Sequence, residues 1–470
     1  MQLDAVNGAV SGAVDGAADV AVVGAGPAGL AAAAAAAELG LSVALLDEQA
    51  HPGGQIYRDV TRAGVDRLQL LGDDYAAGRA LVERFTQSRA RHVGGAAVWN
   101  ITRDRVIHYL KDGRSRSMTA GQVILCTGAM ERPFPIPGWT LPGVMTAGAA
   151  QILLKSAGVA PSQPVVLAGC GPLLYLLAWQ YLRAGVRIGA IVDTTQRGDY
   201  LRALRHLGGA LAGWRDVSKG LGLIRSIRSA GIPCYRGATD LAVEGGERAT
   251  ALGFRMGGTS HRVQTDLVLL HQGVVPNNQI TASLRLAHRW DDQQLCWVPV
   301  ADAWGRLALD GFLVAGDGRG IAGGLAAALQ GQLAGLAAAH DAGRVSELER
   351  DRQAAPLRSA LRRHLHIRPF LDTLYRPKIQ HRVPADDVIA CRCEEVSAGE
   401  LRRSVALGCQ GPSQGKAFTR CGMGPCQGRL CGLTVTEVIA HERGVSPAEV
   451  GHYRIRAPIK PITLEELAAL

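Results

Sequence analysis

The first clear pattern in the chain is a short apolar run that leads into glycines and then into an alanine-rich stretch. Residues 19–29 read DVAVVGAGPAG, and LAAAAAAAELG follows them. A second apolar run, LSVALLDE, ends near Asp47. β-Branched runs favour strands and alanine favours helices, so this order predicts a strand, a helix and a second strand that together form a βαβ unit.

Three glycines lie at the turn between the first strand and the helix. Gly24, Gly26 and Gly29 have the G-x-G-x-x-G spacing. The first glycine of this spacing makes a tight turn, the second lets backbone approach a pyrophosphate, and the third lets helix and strand pack closely. The helix N-terminus offers free N–H groups and positive dipole to the phosphates. Asp47 follows Gly29 by 18 residues, where a carboxylate can bind a ribose, so the sequence predicts a dinucleotide site.

A weaker copy of the same pattern lies at residues 164–193. It contains a strand, Gly169-x-Gly171, a helix, and a second strand that ends at Asp193. Leu174 replaces the third glycine, which loosens the approach of helix to strand. An acidic residue at the strand end disfavours a 2′-phosphate, so NAD(H) or another adenine nucleotide is expected in preference to NADP. The alternative is a retained fold whose pocket is altered or empty.

Further glycine motifs follow the first unit in a recognisable order. They are Gly54-Gln55, a strand that breaks at Gly128, and a strand that ends at Gly316-Asp317. This order resembles the FAD-binding domain of flavoproteins with two dinucleotide-binding domains. The resemblance implies that Asp317 accepts hydrogen bonds from the ribityl chain of FAD. It also implies a helix that starts near Ile321 and points its positive end at the flavin. The alternative role for Asp317 is an ordinary helix N-cap.

The same resemblance gives the domain organisation and an α/β fold class. We expect a flexible N-terminus at 1–18 and an FAD-binding domain formed by 19–160 and 271–344. An inserted NAD-type nucleotide-binding domain at 161–270 and a helical linker at 345–385 complete the flavoprotein part. A small helical domain at 386–445, which contains the C-terminal cysteines, and a tail at 446–470 end the chain. No Cys-x-x-Cys occurs in the sequence, so a redox-active disulfide of the thioredoxin reductase type is not expected.

Composition and charge narrow the functional classes. The chain has 470 residues, a net charge of +10 and ten cysteines. Its basic residues are scattered, without a Lys/Arg run or interleaved aromatic residues, so nucleic-acid binding is not expected. The N-terminus lacks the basic and apolar regions of a signal peptide, and the alanine run is too short to span a bilayer. We therefore expect a cytoplasmic protein without a transmembrane segment, in which ten cysteines favour metal or redox chemistry over disulfides.

Six of the cysteines lie between residues 391 and 431. Ser397-x-x-Glu400 is a capping box, so a helix is expected directly after Cys391-x-Cys393, and another helix begins near Cys431. Four thiolates can therefore converge between the two helix starts. Zinc prefers C-x(2–4)-C pairs, which fit this spacing poorly, whereas a [2Fe-2S] cluster takes four cysteines at protein-specific spacing. Three cations in this part of the chain are expected to offset the cluster's negative charge: Lys416, Arg420 and Arg429.

The cysteine spacing resembles the ferredoxin-like module related to bacterioferritin-associated ferredoxin. Cys391-x-Cys393 is followed by 32 residues and then by Cys426-x4-Cys431. The resemblance implies that these four cysteines are the cluster ligands. Cys421 is then an extra cysteine and the alternative ligand.

The chain from about residue 19 to its end resembles one family. The segments that carry the resemblance are DEQAHPGGQIYR, IPGWTLPGVMTAGAAQILLK, GPLLYLLAWQYLRAG, the cysteine module and YRIRAPIKPITLEELA. They resemble the α (A) subunit of heteromeric amino-acid oxidases and dehydrogenases, which include opine oxidase, hydroxyproline or proline dehydrogenase and hydrogen cyanide synthase. The resemblance implies electron transfer by this chain and a D-amino-acid-oxidase-like (DAAO-like) flavoprotein β subunit that oxidises the amine. A small ferredoxin-like subunit and peripheral attachment to the inner membrane through such partners are compatible with it.

Several alternatives stay open at the level of sequence. The chain could be a self-contained NADH:acceptor oxidoreductase, a glycine-oxidising subunit of the hydrogen cyanide synthase type, or a scaffold that holds an adenine nucleotide. No catalytic residue for amine oxidation is identified. The proline-rich basic tail cannot form a regular helix at its prolines, so it either crosses a neighbouring subunit or folds back on its own FAD domain.

Overall fold

The computed structural model describes residues 14–468. Residues 1–18 were predicted to be a flexible N-terminus. Residues 1–13 of this segment lie outside the described residues. Residues 14–18 belong to the first strand, because Val14–Val23 is continuous and pairs with two neighbouring strands. The boundary of the first domain therefore lies earlier than position 19.

The helices and strands follow one another along the chain in three groups. Up to residue 157 they are β1 (Val14–Val23), α1 (Pro27–Glu38), β2 (Val43–Asp47), α2 (Val65–Leu71), α3 (Asp73–Ala76), α4 (Gly78–Gln87), β3 (Arg91–Gly94), β4 (Ala97–Ile101), β5 (Val106–Lys111), β6 (Arg114–Leu125), β7 (Ala129–Glu131), β8 (Val144–Thr146) and α5 (Ala147–Ala157). From there to residue 299 they are β9 (Val165–Cys170), α6 (Pro172–Arg183), β10 (Ile188–Asp193), α7 (Arg197–Ala203), α8 (Leu207–Ala212), α9 (Trp214–Ser229), β11 (Cys234–Arg236), β12 (Thr239–Gly245), β13 (Ala249–Met256), β14 (Thr259–Gln264), β15 (Val268–Gln272), β16 (Val274–Pro276), α10 (Gln279–Ser283), β17 (His288–Asp291) and β18 (Cys296–Pro299). The last group is β19 (Phe312–Val314), α11 (Gly324–Asp341), α12 (Glu347–Leu365), α13 (Arg368–Leu374), β20 (Ile389–Cys391), β21 (Val396–Ser397), α14 (Ala398–Ala406), α15 (Pro412–Thr419), α16 (Gly432–Arg443), α17 (Pro447–Val450) and α18 (Leu464–Ala468).

The first domain is built on a seven-stranded sheet. Its strand order is β3-β2-β1-β6-β5-β4, and β19 pairs with β6. The strands β3, β2, β1, β6 and β19 are parallel neighbours, whereas β5 and β4 are antiparallel. The predicted βαβ unit is therefore confirmed, and β19 returns to this sheet nearly 200 residues after β6 ends.

Small residues allow α1 and α11 to pack closely on one face of this sheet. Seven consecutive alanines in α1 leave no bulky side chain to separate the two helices. A Cβ built on Gly331 of α11 would lie 2.0 Å from the carbonyl oxygen of Ala28, and one on Gly335 would lie 2.7 Å from that of Ala32. This close contact between the two helix backbones therefore requires small residues, which explains the alanine and glycine content of both helices.

The inserted domain has a five-stranded parallel sheet in the order β11-β10-β9-β15-β8. Strand β8 at Val144–Thr146 belongs to this second sheet, so the insert begins before the predicted boundary at 161. An antiparallel sheet of β12, β13 and β14 packs against it through a shared apolar core. The two domains are connected by the antiparallel pair β7 and β16.

The C-terminal module packs on the first domain and shares an apolar core with it. The predicted capping box is present, since Ser397 caps α14 and Glu400 bonds back to the Ser397 N–H. The tail folds back on the first domain of its own chain: the Ile459 N–H donates to the Trp99 carbonyl at 2.9 Å, and Lys460 forms an ion pair with Glu48. Of the two orientations left open for the tail, the structure has the second.

No helix between residues 14 and 468 combines the length and the apolar character that crossing a bilayer requires.

Candidate functional site

The first glycine loop has the geometry of a phosphate-binding turn. Gly24 has a φ of +105°, and a Cβ there would lie 2.3 Å from the Cys126 carbonyl oxygen. A Cβ on Gly29 would lie 1.7 Å from the carbonyl oxygen of Gly24, so the third glycine does permit close contact between helix and strand. Gly26 is the N-cap of α1, and the nearest atom to a Cβ there, the Gly54 Cα, is 3.9 Å away. The backbone at Gly26 is therefore accessible to a phosphate.

The Gly54-Gln55 segment lies directly against this loop. Gly54 has a φ of +60°, and a Cβ on it would lie 2.6 Å from the Gly26 Cα. The Gln55 carbonyl accepts a hydrogen bond from the buried Lys155 ammonium at 3.1 Å. Desolvation lowers the pKa of Lys155 to about 7, and the nearby Arg58 guanidinium contributes to this shift. These contacts fix the second loop beside the first.

Asp47 ends β2 with its carboxylate beside the glycine loop. One carboxylate oxygen accepts the Ala25 N–H, and the other accepts the Gln49 N–H at 2.7 Å. The side chain is thus held at the loop that the sequence predicted, where it can also accept from a ribose hydroxyl.

Asp317 and Gly128 lie in two loops that are in contact with each other. A Cβ on Gly318 would lie 3.0 Å from Thr127 Oγ1 and 3.6 Å from the Gly128 nitrogen. Gly128, with a φ of +65°, has no atom within 4 Å of its Cβ position, and the same holds for Gly323. Open space at two glycines that flank a carboxylate fits a flat ring bound against backbone.

The helix after Asp317 begins later than expected. Helix α11 starts at Gly324 rather than near Ile321, because residues 316–319 form a 3₁₀ turn. The Asp317 Oδ1 accepts the N–H groups of Ala322 and Gly323 at 2.9 and 3.0 Å. This carboxylate therefore caps the loop that precedes the helix, and its second oxygen has no hydrogen bond from the described residues. Capping and cofactor binding are compatible here.

The second glycine loop packs against a neighbouring strand as the first loop does, but a histidine ring also lies beside its second glycine. A Cβ on Gly169 would lie 1.6 Å from the His271 carbonyl oxygen, and one on Gly171 would lie 3.2 Å from the His271 ring. His271 is buried and its Nδ1 lies 2.7 Å from Glu131 Oε1. Glu131 also accepts the Gly148 N–H at the start of α5.

The carboxylate of Asp193 faces the protein interior. It is 1% exposed and accepts hydrogen bonds from the Tyr175 hydroxyl group and from the Thr195 N–H, the latter at 2.8 Å. Burial raises the pKa of the Asp193 carboxyl above its ordinary value. A carboxylate with these partners is not directed at a ribose. Tyr175, on the helix after the loop, was not singled out from the sequence.

The linker fills the crevice at the carboxyl ends of the second sheet, where open α/β sheets bind their ligands. The Cys170 thiol at the end of β9 donates to the Tyr375 carbonyl at 3.4 Å. The Gln272 amide at the end of β15 donates to the His381 carbonyl at 3.2 Å, and Lys378 forms an ion pair with the fully buried Asp199. These contacts place linker residues at the crevice, which favours the alternative of a retained fold with an altered pocket.

Three cysteine sulfurs of the C-terminal module meet in one buried cluster. The sulfur atoms of Cys391, Cys421 and Cys431 all lie within 4.8 Å of one another, and each residue is at most 1% exposed. Cys421, the alternative ligand, is therefore part of the cluster. The sequence named it only as the alternative ligand, because the resemblance assigns the four ligands without it.

The four predicted ligands form two adjacent pairs. Cys393 contacts Cys426, Cys431 contacts Cys391, and the two pairs join through a contact between Cys426 and Cys431. Two pairs of thiolates suit two irons, whereas three mutually close sulfurs with a fourth beside them suit a single tetrahedral ion. The five sulfurs thus fit a metal centre.

Hydrogen bonds between the thiols already favour the thiolate form at two positions. Thiol donation from Cys421, and then from Cys431, lowers the pKa of Cys391 to about 2. The same contact with Cys391 raises the pKa of Cys421 to about 12. Donation from Cys431 lowers the pKa of Cys426 to about 5, whereas burial raises that of Cys393. Thiolate is the form that binds metal.

The cations expected around the cysteines have different roles. Lys416 lies close enough to Cys421 and Cys431 for a favourable charge interaction. Arg420 instead pairs with Glu394 at 3.2 Å. Arg429 donates to the Ile459 carbonyl of the tail at 3.2 Å.

The remaining cysteine of this region, Cys409, is a buried thiol outside the cluster.

A cleft lies between part of the first domain and the cysteine module. Met130 and Asn277 line it on one side, and Arg429 and Gly432 line it on the other. The Asn277 N–H donates to the Gly128 carbonyl at 3.0 Å, and Gly432 directly follows a cluster cysteine. The cleft therefore borders both candidate sites.

Comparisons with known proteins cover both parts of the chain. The sequence family described as pyridine nucleotide-disulphide oxidoreductase matches residues 18–343, and the sarcosine oxidase A3 domain matches residues 391–470. The α (A) subunit of opine oxidase from Rhizobium meliloti is 46% identical over 96% of this chain and 87% of its own length. Hydrogen cyanide synthase subunit HcnB of Pseudomonas aeruginosa is 30% identical over 94% of this chain and 96% of its own length.

A solved structure shares the fold over nearly the whole chain. The crystal structure of L-proline dehydrogenase from P. horikoshii superposes with a TM-score of 0.71 over 97% of this chain and 80% of that chain, at 21% identity. It supports the α/β flavoprotein architecture with its helical C-terminal module. The chain therefore belongs to the pyridine nucleotide-disulphide oxidoreductase family and, within it, to the flavin-dependent oxidoreductase subunits that include the α (A) subunit of opine oxidase.

Proposed function

We propose that this chain is the electron-transfer subunit of a heteromeric amino-acid dehydrogenase or oxidase that acts on an opine, proline, hydroxyproline or sarcosine-like substrate. It holds FAD at the first glycine loop and a [2Fe-2S] cluster at the C-terminal cysteines. When bound, the flavin supplies two-electron chemistry and the cluster supplies one-electron chemistry.

The observation that carries this proposal is the paired cysteine cluster beside a cleft that also borders the FAD site. Cys426 and Cys431 lie in the loop that lines the cleft on one side, and Gly128 bonds to a lining residue on the other. Such an arrangement suits electron exchange between two groups within one chain. The FAD site would be held by Gly24, Gly26, Gly29, Asp47, Gly54, Gln55, Gly128 and Asp317.

The proposed partner is a DAAO-like flavoprotein β subunit that oxidises the amine. Relatives of this chain are named as subunits, which supports a heteromer. No residue set for amine oxidation was identified from the sequence, so substrate choice is assigned to the partner. A small ferredoxin-like subunit is the proposed further partner, and the complex is placed in the cytoplasm, with any membrane attachment made through partners.

A second candidate is the subunit of a glycine-oxidising hydrogen cyanide synthase. The relative that is 30% identical over 94% of this chain favours it. The self-contained NADH:acceptor oxidoreductase is less well supported, because the linker fills the crevice of the second fold and Asp193 bonds to Tyr175.

One experiment separates these functions. The chain is purified anaerobically, alone and with a co-expressed DAAO-like subunit, and FAD, iron and zinc are measured in both preparations. Dye reduction is then followed with opines, proline, hydroxyproline, sarcosine and glycine. We expect FAD and iron in the isolated chain and turnover only in the complex. Zinc without iron contradicts the electron-transfer role, and turnover by the isolated chain contradicts the subunit role.

A further inference from the structure

We infer that Tyr453 and Lys416 are positioning residues that raise the reduction potential of the cysteine-bound centre. This inference rests on the proposed function, since it requires a [2Fe-2S] cluster at the cysteines. Tyr453 lies in the tail, which the sequence left without a role.

Tyr453 is packed tightly over the cysteine loop. It is 3% exposed, and its ring lies where three glycines leave room. A Cβ on Gly422 would lie 2.5 Å from Tyr453 Cζ, and Cβ atoms on Gly428 and Gly432 would lie 2.7 and 3.1 Å from Cδ2. Any larger residue at these three positions would displace the ring. The loop sequence is thus adapted to receive this side chain.

The hydroxyl group of Tyr453 lies between two atoms of the cysteine loop. It donates to the Cys421 carbonyl at 2.9 Å and lies 4.0 Å from Cys431 Sγ. The hydroxyl group has one proton, which can rotate about the Cζ–O bond. A metal-bound thiolate is a stronger acceptor than the Cys431 thiol, so with metal bound this proton can turn from the Cys421 carbonyl toward Cys431 Sγ and stabilise its negative charge. Hydrogen bonds to cluster sulfurs are among the factors that set the potential of iron–sulfur centres.

Lys416 adds a positive charge on the outer side of the same ring. Its ammonium lies 4.8 Å from the centre of the Tyr453 ring. It is half-buried, forms no ion pair with a carboxylate among residues 14–468, and interacts favourably with the charges of Cys421 and Cys431. One-electron reduction adds one negative charge to the cluster, so this cation favours the reduced form more than the oxidised form.

The tail is fixed at this place by contacts on both sides of Tyr453. Thr436 of α16 donates to the Gly451 carbonyl at 2.9 Å, and the Arg454 N–H donates to Ser413 Oγ at 2.8 Å. Ile455 and Ile459 beyond them are buried. The position of the hydroxyl group therefore does not depend on a partner subunit.

The test is the midpoint potential of the cluster-loaded full chain, measured by EPR during titration with dithionite as the electron donor. Tyr453→Phe removes the O–H group and keeps the ring, and Lys416→Met removes the charge and keeps an unbranched apolar side chain. Each is expected to lower the equilibrium constant for one-electron reduction about tenfold, which is about 59 mV. Lys416→Arg should restore the wild-type potential.

Matched controls make the same chemical changes away from the cysteines. Tyr75→Phe removes a buried hydroxyl that bonds to the Arg58 carbonyl in the first domain, and Lys111→Met removes a charge at the end of β5. Neither should move the potential. A purely structural role for Tyr453 would lower iron content or thermal stability without a shift in the midpoint, and this result would overturn the inference.

The outcomes also separate this inference from the proposed function. If the wild-type chain has no [2Fe-2S] EPR signal, the proposed function fails. If the signal is present and both variants have the wild-type potential, only the positioning role fails. If Tyr453→Phe does not retain the cluster, Lys416→Met decides the question, because Lys416 touches the ring from outside the cysteine loop.

Discussion

Replacing Gly128 by alanine separates cofactor contact from the cost of backbone strain. Gly128 has a φ of +65° and no atom within 4 Å of its Cβ position. An added methyl group thus meets no protein atom, and the expected cost to the apoprotein is that of a non-glycine residue in the left-handed region, about 1–2 kcal/mol. If a flavin lies against this backbone, the methyl group occupies space that the ring requires.

Gly40 supplies the matched control. It lies in the turn between α1 and β2 with a φ of +82°, and no atom lies within 4 Å of its Cβ position. Gly40→Ala should therefore destabilise the apoprotein by a similar amount without affecting cofactor binding. Both apoproteins are unfolded in urea, and FAD affinity is measured by the quenching of flavin fluorescence on titration with apoprotein.

The two variants should agree in stability and differ in affinity. For Gly128→Ala we expect the dissociation constant of FAD to rise at least about tenfold, which corresponds to about 1.4 kcal/mol. For Gly40→Ala it should stay within about twofold of the wild-type value. If Gly128→Ala loses stability as Gly40→Ala does and binds FAD with wild-type affinity, the space at Gly128 is not where the flavin lies, and the assignment of this site is refuted.

Four further results are expected. Asp317→Ala should weaken FAD binding by about 1.5–3 kcal/mol, which is the range for a hydrogen bond to a charged group. Asp317→Asn keeps an acceptor for the N–H groups of Ala322 and Gly323 and should therefore bind FAD better than the alanine variant. Cys426→Ala should abolish the EPR signal and visible absorbance of the [2Fe-2S] centre, whereas Cys409→Ala should leave both unchanged. A retained signal in Cys426→Ala, or loss of signal in both variants, would contradict the ligand assignment. NADH added anaerobically to the isolated chain should not bleach its flavin, and rapid bleaching would show that the second fold is open. Gly331→Ala should lower the urea midpoint of the whole chain, because its methyl group overlaps the Ala28 carbonyl. The free energy of unfolding should fall by about 1–3 kcal/mol. An unchanged midpoint would mean that α1 and α11 separate easily.

The agreement between sequence and structure is closest where a short motif determines the local backbone conformation. Gly24 and Gly29 have the conformation and the close contacts that their spacing requires, and Ser397 caps its helix as its pattern predicts. The turn at Gly24, the contact of Gly29 with it and the Ser397 cap each depend on residues within one turn or one βαβ unit. Their geometry follows from sterics and local hydrogen bonds that any fold would have to respect.

The second nucleotide fold shows where local pattern is insufficient. Gly169, Gly171 and Asp193 have the expected spacing, and the strand–loop–helix unit forms as predicted. The crevice is nevertheless filled by Tyr375 and its neighbours, which lie about 200 residues farther along the chain. Nothing in the motif itself indicates that a distant segment will pack into it.

The sequence by itself therefore determined the α/β flavoprotein fold, the first glycine loop and the position of the cysteines along the chain. Only the tertiary structure decided that Cys421 joins Cys391 and Cys431, that the linker fills the second crevice, and that the tail brings Tyr453 over the cysteine loop. The reason is the range of the interactions. Turns, caps and periodic helices are set by neighbours in sequence, whereas these three features depend on which apolar surfaces become buried against each other when the whole chain folds.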